Sequence, residues 1–439
     1  MLVRLIRGLH QSYTLIPLVH KTRLMSSAAK QIPVSNGRPS VPHYTFFEEP
    51  LGLPASEGYG YFQGTPGLSL GPSNRFKLQA KLGFGTASSV WLAHDRFDNT
   101  HVAIKILTGY STHLNYEHKL RELEVLQRLS SVTTEHPTDH CGRLLSHFVH
   151  PGIEEDGEHL CLVTELFWSN LQDVRKLLQP GLIPVQTAKR ILRHLLLGIA
   201  RLHSCGIAHT DIKPDNIMIE LGPHWTTDAI NNWITENPPH FYAPERSSNK
   251  MVSAFVSQSL PPPTVDELPS CNFKLVDYSS AQFVVDQTTD NITPLGLRPP
   301  EVVLGGEWNE SVDIWTFGCM VFTVLTNVPL FKPMAVVEQD ASEIDVLLYQ
   351  MILFCGEFFH QDFLQRCSRS LDYFQLDCRP RKFESFVRKP FEKCIGDTRC
   401  VLSPADMAGA ADLMTKCLRL DPKNRATAEE LLKHPWLMQ

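Results

Sequence analysis

From Arg75 onward, apolar and polar positions alternate between strand-like and helix-like stretches. Phe76 to Ala93 alternates about a glycine pair, Gly83 and Gly85, in Lys-Leu-Gly-Phe-Gly-Thr-Ala-Ser-Ser-Val-Trp-Leu-Ala, which predicts strand, tight turn, strand. Val102-Ala103-Ile104-Lys105 is a further apolar run, ended by a lysine. His118 to Leu129 places Leu120, Leu123, Val125, Leu126 and Leu129 close to helical spacing, with Glu122 and Glu124 among them. Leu160 to Leu166 reads as a buried strand running into Glu165-Leu166-Phe167. Ile183 to His203 carries Ala188, Ile191, Leu195, Leu196, Ile199 and Leu202 at helical intervals and predicts a long helix. Phe273-Lys274-Leu275-Val276-Asp277 is a later strand, ended by an aspartate.

Two regions lack this regularity. Gln31 to Pro72 is rich in Pro, Gly and Ser, with Tyr59, Tyr61 and Phe62 among the glycines. Positions 41–74 therefore read as an irregular lead-in lying along a compact α+β domain that begins near residue 75. Positions 222–270 break down again, with prolines at 223, 238, 239 and 244 and a run at 261–263. They are expected to be an insertion, functional or flexible.

Polar residues cluster most unusually in Ile207 to Met218, where His209, Asp211, Lys213 and Asn216 are bracketed by apolar neighbours. Such a segment is pinned in a core while its polar members face a cleft. Lys105, at the end of a buried run, needs an anionic partner, either phosphates or a carboxylate. The glycine pair by itself is a weak signal, because hairpins need glycine for their own turns.

Composition narrows the class. The chain has 439 residues, enough for one large bilobal domain with extensions, and is 43% hydrophobic and 20% charged, without a run long enough to cross a bilayer. A net charge of −6 argues against a direct nucleic-acid binder. Eleven scattered cysteines with no C-x-x-C pair favour reduced thiols in an intracellular protein. Residues 1–30 carry Arg4, Arg7, Lys21, Arg23 and Lys30 and no acid precedes Glu48. Positions 1–40 are expected to be a disordered basic tail or a mitochondrial presequence, with Met25 as a second candidate initiator.

Taken in order, these motifs resemble those of protein kinases over about Phe76 to Leu437, with His-x-Asp-x-Lys-x-x-Asn as the catalytic loop. The resemblance implies a bilobal α+β fold: a small β-rich N-lobe (75–167), a larger helical C-lobe (168–437), and ATP and Mg2+ as cofactors. It implies that Asp211 accepts the proton of a substrate hydroxyl, Lys213 sits against the transferring phosphoryl group, and Asn216 and Asp277 hold magnesium. Gly83 and Gly85 would let the backbone approach phosphate oxygens, and Leu82, Val90 and Ala103 would line the purine. Lys105 would pair with Glu122. Glu165 and Phe167 would form the hinge, with Thr164 guarding the pocket behind it. Glu301 would pair with Arg425, and His209 and Asp313 would brace the loop rather than act chemically.

Lys213 two residues after Asp211 is the Ser/Thr-type arrangement. His-Thr-Asp-Ile-Lys-Pro, Ser88 for the third loop glycine, Arg298 before Pro-Pro-Glu and the Tyr349 to Glu357 stretch are similar to SR-protein kinases of the CMGC group, in a fungal form. That likeness implies a monomeric serine/threonine kinase of the cytoplasm or nucleus acting on Arg/Ser-rich splicing-type proteins. Thr210, standing where kinases usually carry arginine, implies that no activation-loop phosphate is needed at Thr288, Thr289 or Thr293. Ser279 in place of glycine and Pro294 in place of threonine bear on turnover. The alternative is a pseudokinase or scaffolding nucleotide-binding module. Such proteins commonly lose one of Lys105, Glu122, Asp211, Asn216 and Asp277, and none is lost here.

Overall fold

The computed structural model describes residues 47–131, 140–178, 183–248 and 250–438; the expectations for positions 1–40 lie outside them. Six antiparallel strands form the N-terminal sheet: β1 (Ser69–Leu70), β2 (Phe76–Phe84), β3 (Ser88–Asp95), β4 (Thr100–Leu107), β5 (Leu144–Pro151) and β6 (Glu158–Glu165), ordered β1-β2-β3-β4-β6-β5. Side chains directly opposite one another share a face of a sheet. The register therefore puts Val90, Leu92, Ala103, Lys105, Leu162 and Thr164 on one face, and Trp91, Ala93, Val102, Ile104, Cys161 and Val163 on the other.

The second face is an apolar cluster, and a sheet face of that kind must be covered. Phe62 of the lead-in and Phe255 of the insertion cover it, Phe62 standing edge-on to Trp91 at 6.1 Å. The lead-in from residue 47 is thus packed along the domain. The insertion is not the structureless loop its prolines suggest. It contains helix α5 (Thr227–Glu236), capped by the Thr226 hydroxyl, and a hairpin of β10 (Glu245–Ser247) and β11 (Lys250–Val252). Its apolar residues are too few and too widely spaced to signal these elements. The hairpin's burial comes from the lead-in, with Leu51, Tyr61, Val252 and Ala254 forming a joint core.

The helix expected over residues 118–129 is shorter and later. A first helix α1 (Gly109–Tyr116) ends before His118, whose positive φ of 55° breaks the spiral, and α2 begins only at Glu122 and runs to Ser131. After strand β7 (Phe167–Asn170) and helix α3 (Leu171–Leu177) comes the long helix, α4 (Val185–Ser204), with twelve buried residues. It leads into β8 (Ile207–Ala208), the polar loop carrying His209, Asp211, Lys213 and Asn216, and β9 (Ile217–Glu220). Strand β12 (Phe273–Leu275) pairs with β9, and β13 (Gln282–Phe283) pairs with β8, so two short ladders hold both polar loops together. Beneath them runs α6 (Ser311–Thr326), buried along nearly its whole length, as expected of a helix that is apolar all round. No described helix is long and apolar enough to cross a membrane.

Candidate active site

The lysine at the end of the apolar run lies on the cleft face of β4. Its Nζ is 2.7 Å from Glu122 Oε1 and 2.8 Å from Asp277 Oδ1. Strand, helix and the segment after β12 therefore meet at one cation. Burial works against the Lys105 charge, but the Asp277 and Glu122 carboxylates outweigh it and hold its pKa above the ordinary lysine value. Burial likewise opposes the Asp277 charge, yet Lys105 and a hydrogen bond from Ser279 keep that carboxyl well below its usual range. Ser279, a departure from the usual glycine, thus serves Asp277 directly. Asp277 itself sits at φ 66°, in left-handed backbone that a non-glycine residue adopts only when its surroundings impose it.

In the catalytic loop, Lys213 Nζ lies 2.6 Å from Asp211 Oδ2, and Asn216 Nδ2 donates to the Asp211 carbonyl at 2.9 Å. The backbone N–H of Asp211 donates to His209 Nδ1, so Nε2 carries the ring proton and donates to the Val276 carbonyl at 3.0 Å. His209 is fully buried and joins the catalytic loop to the residue before Asp277. Asp313 of α6 accepts from the N–H of His209 at 2.7 Å and of Thr210 at 2.9 Å, and from His203. His209 and Asp313 are braces, as their positions suggested. Arg425 holds Glu301 through two 2.6 Å bonds while its guanidinium covers the Trp315 ring at 5.2 Å, and both charges are buried.

Thr210 is the junction of the activation segment. Its φ is 64°, its hydroxyl donates to the Ser280 carbonyl at 2.7 Å, and its carbonyl accepts from the Thr293 hydroxyl at 2.9 Å. Thr293, beside Pro294, thereby supplies a contact to the catalytic loop from the neighbouring position, which the sequence reading missed. Arg298 donates to the Ile292 and Thr293 carbonyls, and Arg121 of the α2 approach pairs with Asp286 at 2.8 Å. At 8% exposure Thr293 is not an accessible modification site, and the Thr288 hydroxyl is bound to Gln282.

At the hinge, the Glu165 carboxylate faces Lys274, which lies 2.8 and 2.9 Å away, and Lys274 also reaches Glu220. The side chain is therefore committed elsewhere. Thr164 shares the cleft face with Ala103. Near the glycine pair there is open space, since a Cβ built on Gly83 or Gly85 would meet no atom within 4 Å.

The donors suit magnesium and a nucleotide. Asp277 and Asn216 offer hard oxygens, and with Nδ2 committed to Asp211, Asn216 keeps its amide oxygen for a cation. Among the described residues no group of three or more His, Cys, Asp or Glu could hold a metal by itself. That fits Mg2+, which usually takes one or two protein carboxylates and fills its shell with phosphate oxygens and water.

The protein kinase domain family matches residues 76–229 and 264–437, leaving out the end of α5 and the hairpin. The chain is 30% identical over 388 residues to the serine/threonine-protein kinase SRPK of Physarum polycephalum, covering 83% of this chain and 86% of that one. It is 29% identical over 372 residues to a serine/threonine protein kinase of Aspergillus fumigatus, covering 83% and 85%. With the serine/threonine-protein kinase SKY1 of Saccharomyces cerevisiae it shares 40% identity over 153 residues, 34% of this chain and 20% of the other. The chain is a protein kinase of the serine/threonine type and belongs to the SR-protein-kinase-like branch of the CMGC group.

Proposed function

We propose that the protein transfers the γ-phosphoryl group of Mg-ATP to serine in Arg/Ser-rich proteins, from an active arrangement that needs no activation-loop phosphate. The observation that carries this reading is the Lys105–Glu122–Asp277 junction, formed together with the Asp211–Lys213 pair. When bound, Mg-ATP supplies the electrophilic phosphorus and the charge shielding its oxygens need. Lys105 orients phosphate oxygens, and Asp277 and Asn216 would hold the metal. Asp211, fixed by Asn216 and by the brace beneath it, receives the proton of the substrate hydroxyl. Lys213 offers its charge beside the oxygens that become more negative.

The second part of the proposal rests on Thr210. In kinases switched by phosphorylation, an arginine at this position would pair with the phosphate. Here neutral hydrogen bonds from Thr210 and Thr293 and the Arg121–Asp286 pair support the segment at both ends. The Arg/Ser preference is supported by kinship to SRPK and by the acidic net charge of −6. The same likeness supports a monomer of the cytoplasm or nucleus. Kinetics on an Arg/Ser repeat peptide, beside a peptide with lysine for each arginine and one with alanine, test the substrate class. A strong preference for the first is expected, and equal kcat/KM on all three would refute it.

A further inference from the structure

The outer face of the N-terminal sheet is covered by two segments far apart in the sequence, the lead-in and the insertion, and both also grip the glycine-rich turn. Lys81, with a side chain that is 0% exposed, leads into that turn and faces outward opposite Trp91. Its Nζ is bound by Glu48 at 2.7 Å, by Glu49, and by the Phe255 carbonyl at 3.2 Å. The insertion reaches the same point twice more. The N–H and hydroxyl of Ser257 donate to Glu48, and the N–H of Gln258 donates to the Lys81 carbonyl at 2.8 Å, beside the bulge between Lys81 and Gly83.

Tyr61 completes the grip. Its ring is buried between Leu51 of the lead-in and Val252 and Ala254 of the insertion, and its hydroxyl donates to the Gly85 carbonyl at 2.8 Å. Tyr61 and Ala254 adjoin Phe62 and Phe255, whose rings stand against Trp91 on the outer side of the sheet, whereas Val90 and Lys105 face the cleft. The described chain has no cis peptide, and in a trans peptide the C=O and the following N–H point in opposite directions. A bond that draws the Gly85 carbonyl outward therefore turns the Thr86 N–H inward.

We propose that Tyr61 is a positioning residue for nucleotide phosphates: from the outer face it fixes the Gly85–Thr86 peptide so that the Thr86 N–H is presented to the phosphate oxygens in the cleft. The inference rests on the kinase reading above. It explains why lead-in and insertion share a core at this place, since neither alone holds the Tyr61 ring. A free glycine-rich turn would have to be ordered by the nucleotide at an entropic cost, and here that order is built in.

The test uses the full chain with Tyr61→Phe, which keeps the ring in its core and removes only the hydroxyl. Affinities for ATP, ADP and adenosine are measured by calorimetry beside the melting temperature without ligand. ATP and ADP should each bind about fivefold more weakly, the size of one lost hydrogen bond, while adenosine affinity and melting temperature stay as in the parent. Unchanged ATP affinity in Tyr61→Phe would overturn the proposal, as would an equal loss for adenosine. A parent protein that binds no ATP at all would instead overturn the kinase reading, and this inference with it.

Discussion

Replacing Thr210 by valine removes one hydroxyl and leaves shape and β-branching intact. Thr210 is 1% exposed, and its hydroxyl donates to the Ser280 carbonyl at 2.7 Å, so the substitution leaves a buried acceptor without that donor. Such a loss costs about 1–3 kcal/mol. A factor of ten in rate corresponds to about 1.4 kcal/mol, so kcat should fall by about five- to 150-fold if the whole cost is borne by the active arrangement of the segment. Valine keeps the strain of a β-branched residue at φ 64°, which separates loss of the bond from relief of the backbone. Steady-state phosphorylation with ATP and peptide varied in turn is the assay. Thr210→Ser, which retains the hydroxyl, should stay within about threefold of the parent, and KM for ATP should change little in either variant, because the Lys105 junction is untouched. Parent-like kcat in Thr210→Val would refute the reasoning, as would abolition of parental activity by prior phosphatase treatment.

Other expectations follow from the same geometry. Glu301→Gln should lower stability by about 3–5 kcal/mol, measured by urea denaturation, because it leaves the Arg425 guanidinium buried beside a neutral partner. His194 accepts from the Phe273 N–H, and burial, with His140 at 4.0 Å and Arg190 and Arg193 nearby, pushes its pKa down to about 3. A histidine depressed in this way favours the fold fully above its ordinary value near 6.5, and that contribution is lost as pH falls toward 3. The melting temperature should therefore drop below pH 6, at a cost of up to about 1.4 kcal/mol per pH unit from this group, and His194→Gln should flatten the decline.

The sequence disclosed those parts of the molecule in which a residue's chemistry demands a partner of known kind. A lysine ending a buried strand had to meet an anion, and Glu122 and Asp277 are where it does. The long helix and the sheet strands were legible because each is a strong periodic pattern, whereas the Glu301–Arg425 pair, far apart in the sequence, was expected only from the family resemblance. Residues whose partners are backbone carbonyls left no such trace. The roles of Thr293, Arg298 and Tyr61 depend on which carbonyl comes within reach, and only the fold sets that. The hairpin within the insertion escaped notice because its buried residues are completed by a lead-in some two hundred positions earlier, as in the Ser247 hydroxyl bond to the Leu51 carbonyl. Helix α2 began later than its apolar spacing suggested because His118 adopts left-handed backbone, and nothing in its neighbours announced that.

The most direct test of the central claim is transfer of labelled γ-phosphate to serine of an Arg/Ser peptide by purified, phosphatase-treated protein, run beside Asp211→Ala. Mass-mapped phosphoserine should accumulate with the parent and fall by at least about a hundredfold with the variant, since the proton acceptor is gone and only positioning remains. Equal incorporation by both proteins, or none by either, would contradict the assignment of Asp211 and of phosphoryl transfer to this cleft.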